Sequence, residues 1–209
     1  MKPLLALRER HLEAWTALRD EPFVRLLAAG RVPPVAARRW LEQCHYWDEG
    51  LLRFLTRLLR KAPQAHRRVL ALAIQAIVEE IDVLRADEEL DFSAPMHPSR
   101  QEYLEFLQEL EAQPYPVAMV LHWVLYRVFF DTWFSAKPQD GPLAEFSELW
   151  STPELQALQR DLSVLAVEMI AQADPAELDR LTERVIELER QSWQMAWEFV
   201  QETRRPTLI

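Results

Sequence analysis

Only three glycines, Gly30, Gly50 and Gly141, occur among the 209 residues of this chain. Left-handed turns, tight hairpins and phosphate-cradling loops all draw on glycine's freedom at positive φ. So few of them argue against a turn-dense all-β fold and against a Gly-rich nucleotide loop. The 14 prolines fall mostly between apolar segments of helical period, where they punctuate helices. The periodicity predicts helices over about 4–19, 22–29, 33–61, 64–88, 100–112, 116–136, 142–149, 153–172 and 175–203. Start signals agree: Ser99-x-x-Glu102 has the form of a capping box. Thr152-Pro153 and Asp174-Pro175 each set a capping side chain before a proline at the first helical position. No linker and no repeat interrupts the chain, so one all-α domain over residues 1–209 is expected, a helical bundle with short connections. Phe92–Pro98 reads as a surface loop over one end of it.

Hydrophobic residues make up 49% of the sequence, enough for a sizeable core. The net charge is −9 with no basic stripe, so nucleic acid is not an expected partner. Cys44 is the single cysteine, which rules out an intrachain disulfide and a cysteine-based zinc site. The longest apolar run, Val117–Phe134, carries Arg127 and Asp131 at pairing distance along a helix. It reads as a buried core helix and not as a membrane span. The N-terminus becomes charged too early for a signal peptide, and a cytoplasmic protein is expected.

The polar groups on apolar stripes are the functional signal. In the last predicted helix the stripe runs Leu178, Leu181, Val185, Glu189, Ser192, Ala196, Val200. A carboxylate on a buried face must find partners or take up a proton. Helix 33–61 presents Trp40, Cys44, Trp47, Leu51 and Phe54, with Gln43 beside Cys44. Helix 64–88 flanks its stripe with Glu80, while Glu79 points to solvent. Helix 116–136 is apolar nearly all round, and one face reads His122, Tyr126, Phe129, Trp133. If these helices surround one space, the set suits a planar, weakly polar ligand. Taken singly, each of these residues is more often core packing.

At these residues the chain resembles the thiaminase II (TenA) family, within the heme-oxygenase-like helical fold. Pro22-Phe23-Val24, the Gln43–Trp47 stretch, the central Pro116–Phe129 stretch and FSELWSTPEL match family phrases in order and spacing. The ending ERQSWQMAWEF matches a further phrase at Glu189, Trp193, Met195 and Ala196. The resemblance implies an aminopyrimidine-binding hydrolase of thiamin salvage, without a cofactor or metal, assembled as a homodimer or homotetramer. It implies Glu189 as proton donor, Tyr126 as a kept pocket tyrosine and Tyr103 as another. At two positions the sequence departs. Cys44 stands where the family has the aspartate that grips the ring, and His122 stands where many members have a cysteine nucleophile. Trp47 replaces a tyrosine. The first loss removes the preferred bonds to an aminopyrimidine, and such losses cost about a hundredfold or more in discrimination.

Three readings follow. The first is a C–N hydrolase with Glu189 and His122 as catalytic residues. Cys44, Trp47, Glu80, Tyr103, Tyr126 and Trp193 would bind a small heteroaromatic molecule. Glu80 and Glu189 would act as paired carboxylates, or His122 would activate Cys44. The second is a relative that binds such a molecule without hydrolysing it. The third is a cofactor-free or metal oxidase. Against the metal, Glu42-x-x-His45 has no partner repeat, and His11, His66 and His97 sit off the inward faces.

Overall fold

A computed structural model describes residues 1–137 and 142–204. Its helices are α1 (Lys2–Arg10), α2 (Leu12–Ala17), α3 (Pro22–Ala28), α4 (Pro34–Lys61), α5 (Arg67–Ala86), α6 (Pro98–Ala112), α7 (Tyr115–Ala136), α8 (Pro142–Leu149), α9 (Pro153–Ile170) and α10 (Pro175–Arg204). Among the described residues there is no strand. Prolines stand in the first turn of α1, α3, α4, α6, α7 and α9, where a missing N–H costs nothing. Thr152 caps α9 by accepting from the Leu155 N–H. The predicted capping box at Ser99 does not form. The helix starts earlier, at Pro98, and the His97 side chain caps it by accepting from the Ser99 N–H. The predicted first helix is broken at His11, whose buried ring lies 2.9 Å from Asp179 of α10.

The fold is organised on α4, α7 and α10. Helix α4 packs along α5 and α6, α7 along α9, and α10 crosses both α4 and α7. In α7 fourteen of 22 residues are buried, which fits its apolar circumference. Arg127 pairs with Asp131 on the remaining edge, and Arg8 joins them from α1. Where the central helices meet, a stack of aromatic rings forms the core: Trp40 lies 5.4 Å from Trp133 and 6.0 Å from Trp193, and Phe129 lies 5.8 Å from Trp193. Trp150 and Phe199 are buried within the chain itself. The segment after α5 is irregular as expected, and α4 pins it. Gln43 donates to Pro95 O and accepts from the His97 N–H, Tyr46 donates to Ala94 O, and Glu42 accepts from the Asp91 N–H. No helix among the described residues is long and apolar enough to cross a membrane.

Candidate functional site

A cavity of about 500 Å³ opens beside the aromatic stack. Trp40, Cys44, Trp47 and Asp48 of α4 line it, with Tyr126 and Phe129 of α7 and Glu189, Ser192 and Trp193 of α10. Helix α5 adds Glu80 to the wall, and Arg100 of α6 reaches in from the far side. Exposed residues of α5 and α9, including Leu72, Glu79, Glu154 and Asp161, form its rim. Glu79 is thus solvent-exposed, but at the entrance and not on the opposite surface.

Glu189 is 4% exposed and accepts a hydrogen bond from the Tyr103 hydroxyl at 2.8 Å. Burial raises its pKa to about 7, against the opposing pull of Tyr103 and Arg100. A carboxyl poised near neutrality can hold a proton and give it up, as a general acid must. Tyr103 stands behind Glu189 and against Trp47, the two ring centroids 4.3 Å apart. Burial and the neighbouring carboxylate both keep this phenol protonated, so it donates to Glu189 and fixes its orientation.

Of the residues expected from sequence, Cys44, Trp47, Glu80, Tyr126, Glu189 and Trp193 share the cavity wall, and Tyr103 touches it through Glu189. His122 does not line it. The cavity wall on α7 begins with Leu125 and Tyr126, and the His122 ring is fully buried between Phe54 and Tyr126. Neither of its nitrogens has a hydrogen-bond partner, so no bond joins it to Cys44. Burial pushes its pKa down to about 3, leaving a neutral ring. Cys44 is no better as a nucleophile. Burial drives its pKa well up, and Asp48, Glu80 and Glu189 push the same way against Arg100. A thiol held protonated is inert.

Two residues of the site were missed in the sequence. Asp48 is 2% exposed and lies on the same face of α4 as Cys44, one turn later. Its pKa is raised by burial and then by Glu80, and that of Glu80 is raised by burial, with Trp150 acting in the opposite sense. Arg100 is 4% exposed, with its guanidinium 5.7 Å from the Trp47 ring. Both break an apolar stripe as Glu189 does, so the same signal was present. Among the described residues no group of three or more His, Cys, Asp or Glu is placed to hold a metal ion. His11 and His66 are buried in helix contacts away from the cavity: His11 meets Asp179, and His66 meets Tyr115 and Glu168.

No protein-family model matches the sequence, and no curated protein matches it. Solved structures do. A TenA homologue from Pyrococcus furiosus superposes with a TM-score of 0.84 at 15% identity, over 91% of this chain and 98% of that one. A TenA homologue from P. horikoshii OT3 gives 0.76 at 17% identity, over 93% and 97%. A TenA family transcription regulator from Silicibacter sp. TM1040 gives 0.74 at 17% identity, over 91% and 94%. The chain therefore has the helical fold of the TenA homologues, and the expected all-α bundle stands.

Proposed function

We propose that this protein is a TenA-type hydrolase that cleaves a C–N bond in an aminopyrimidine or related heteroaromatic amine, as in the salvage of thiamin breakdown products. The observation that carries the reading is Glu189, buried on a Tyr103 hydrogen bond and opening on an aromatic-walled cavity. The ring packs among Trp47, Tyr126 and Trp193. Water supplies the oxygen of the new C–O bond, and Glu80 accepts its proton. The nitrogen leaves with the bonding electron pair and takes a proton from Glu189. This route needs no thiol, which agrees with a protonated Cys44 and with His122 lying off the wall.

The test is hydrolysis of thiamin and its pyrimidine fragments, followed chromatographically, with binding measured by calorimetry. Glu189→Gln is expected to lower turnover by about a hundredfold or more while affinity stays within a few-fold. Equal rates for variant and wild type would reject the assignment. A second reading rests on the altered positions 44 and 122: a protein that binds such a ring and does not turn it over. Wild-type binding without product decides for it. A cytoplasmic homodimer or homotetramer belongs to the same proposal. Leu72, Val78 and Val83, exposed on α5, support the assembly, and light scattering of the purified protein tests it.

A further inference from the structure

One basic side chain is buried on the cavity wall with an orphaned donor. Arg100 of α6 is 4% exposed, and among the described residues its Nε has no hydrogen-bond partner. It acts on Cys44, Asp48 and Glu189 through its charge alone and hydrogen-bonds none of them. Nor do those acids discharge it, because burial pushes both carboxyls up, Glu189 to about 7. Arginine is almost never buried without a partner, since a charge and five N–H donors lose their water together. The chain nevertheless holds this guanidinium in place. Helix α6 begins at Pro98, so Arg100 falls on the buried face of Tyr103, Leu104 and Leu107. Its guanidinium carbon lies over the Trp47 ring, 5.7 Å from the centroid. A cation held on a ring face is positioned without giving up its N–H groups to an acceptor.

We propose that Arg100 determines specificity by donating to a neutral carbonyl oxygen carried on the aromatic ligand, as in an aryl ketone, an amide or a ring oxo group. The inference rests on the ring-binding reading above and adds the acceptor that the ring must carry. A carbonyl oxygen has two lone pairs and accepts from two N–H groups of one guanidinium. Bonds to charged donors are among the stronger ones, and a buried donor left unpaired penalises a ligand that lacks the oxygen. The acids of the wall select a neutral acceptor over a charged one. A carboxylate would enter past Glu79, Glu154 and Asp161 and stand beside Asp48, Glu80 and Glu189. It could stay only with protons taken up by that wall, whereas a ketone or amide oxygen needs none. Tyr103 shares the helix face of Arg100 and orients Glu189, so the oxygen lies toward the proton donor's end of the cavity. The volume of about 500 Å³ has room for a ring and its substituent.

The probes are acetophenone and α-methylstyrene, which share one shape and differ in carrying a carbonyl oxygen or a methylene, with benzoate as the charged counterpart. Each is titrated into the full chain at pH 7 and followed by ligand-observed NMR. Acetophenone is expected to bind about tenfold or more tighter than α-methylstyrene, and tighter than benzoate. It should also shift the Arg100 Nε–H resonance, identified by its loss in Arg100→Lys, and α-methylstyrene should leave that resonance in place. Arg100→Met should bring the two neutral probes within about threefold of each other, with folding checked by circular dichroism, and Arg100→Lys should restore part of the preference. The wild-type affinities need no variant to be read. Equal affinities for the neutral probes, binding of neither, tighter binding of benzoate, an unmoved Nε–H resonance, or a preference kept in Arg100→Met would overturn the subsite. Equal affinities would leave ring binding itself standing, and a failure of thiamin hydrolysis would leave the subsite standing.

Discussion

The raised pKa of Glu189 makes a stability prediction that needs no ligand. Unfolded, this carboxyl titrates near its ordinary value of 4.5, whereas in the fold burial lifts it to about 7. A group whose folded pKa is raised stabilises the fold in its protonated form. That contribution is fully present below 4.5 and is lost as pH rises through 7. Each unit is worth about 1.4 kcal/mol, so the wild type should lose about 3 kcal/mol through this residue between pH 4 and pH 8, mostly between 4.5 and 7. Glu189→Gln keeps an oxygen to accept from Tyr103 and removes the charge. Guanidinium unfolding followed by tryptophan fluorescence at pH 4.5, 6 and 8 isolates the effect, since every other titrating group is common to both proteins. The variant should match the wild type within about 1 kcal/mol at pH 4.5 and exceed it by about 2–3 kcal/mol at pH 8. Parallel stability curves over the whole range would refute the claim that burial holds this acid protonated, and the general-acid role would fall with it.

Two further outcomes follow. His122 behaves with the opposite sign: its pKa is depressed to about 3, so its contribution is present above 6.5 and lost as pH falls toward 3. His122→Leu removes two unpartnered nitrogens and should flatten the acid limb of the stability curve, and it should add about 1 kcal/mol at neutral pH in the same unfolding assay. Gly50→Ala should destabilise by about 1–2 kcal/mol despite alanine's better helix propensity. A Cβ there would lie 2.3 Å from Leu104 Cδ2. Leu104→Ala in the same chain should cancel part of the loss in a double-mutant cycle.

The fold was legible because its signals are local and redundant. Apolar period and helix length agree from α3 to α10, and each of these helices but α5 has a proline in its first turn. The break at His11 was not, since it answers to Asp179, 168 positions away. Glu189 was legible because its neighbours on the stripe are apolar on both sides. Asp48 is hard to see because the apolar stripe continues from Cys44 to Trp47 by a step of three. A step of four lands on Asp48, and beside Glu49 and Gly50 it looks like a solvated helix edge. Arg100 was lost to the misplaced helix start: read as the residue after a Ser99 cap, it belongs to an exposed first turn. With the helix beginning at Pro98, it shares the buried face of Tyr103, Leu104 and Leu107. His122 was misplaced for the converse reason, because one face of a helix that is apolar all round does not say which of its turns meets a cavity.

The cost of the cavity's charge is itself an argument for its use. A bundle of this fold needs an apolar centre, and swapping buried ionisable groups for hydrocarbon of similar volume is commonly neutral or stabilising by about 1–4 kcal/mol. Here three acids stand on one wall, and the one at position 48 has no hydrogen-bond partner at its buried oxygen. Cys44 takes the place where the resemblance expects an aspartate, so carboxylate chemistry has not left α4. It sits one turn further along, beside Glu80. A chain that only kept its fold would gain by replacing Asp48. A chain that binds a ring against Asp48 would not, because the substitution takes the ligand's partner with it. The affinity of Asp48→Asn for thiamin and its pyrimidine fragments, set against its unfolding free energy, therefore separates a relic of packing from a binding group: the first predicts stability gained and binding unchanged, the second stability gained and binding lost.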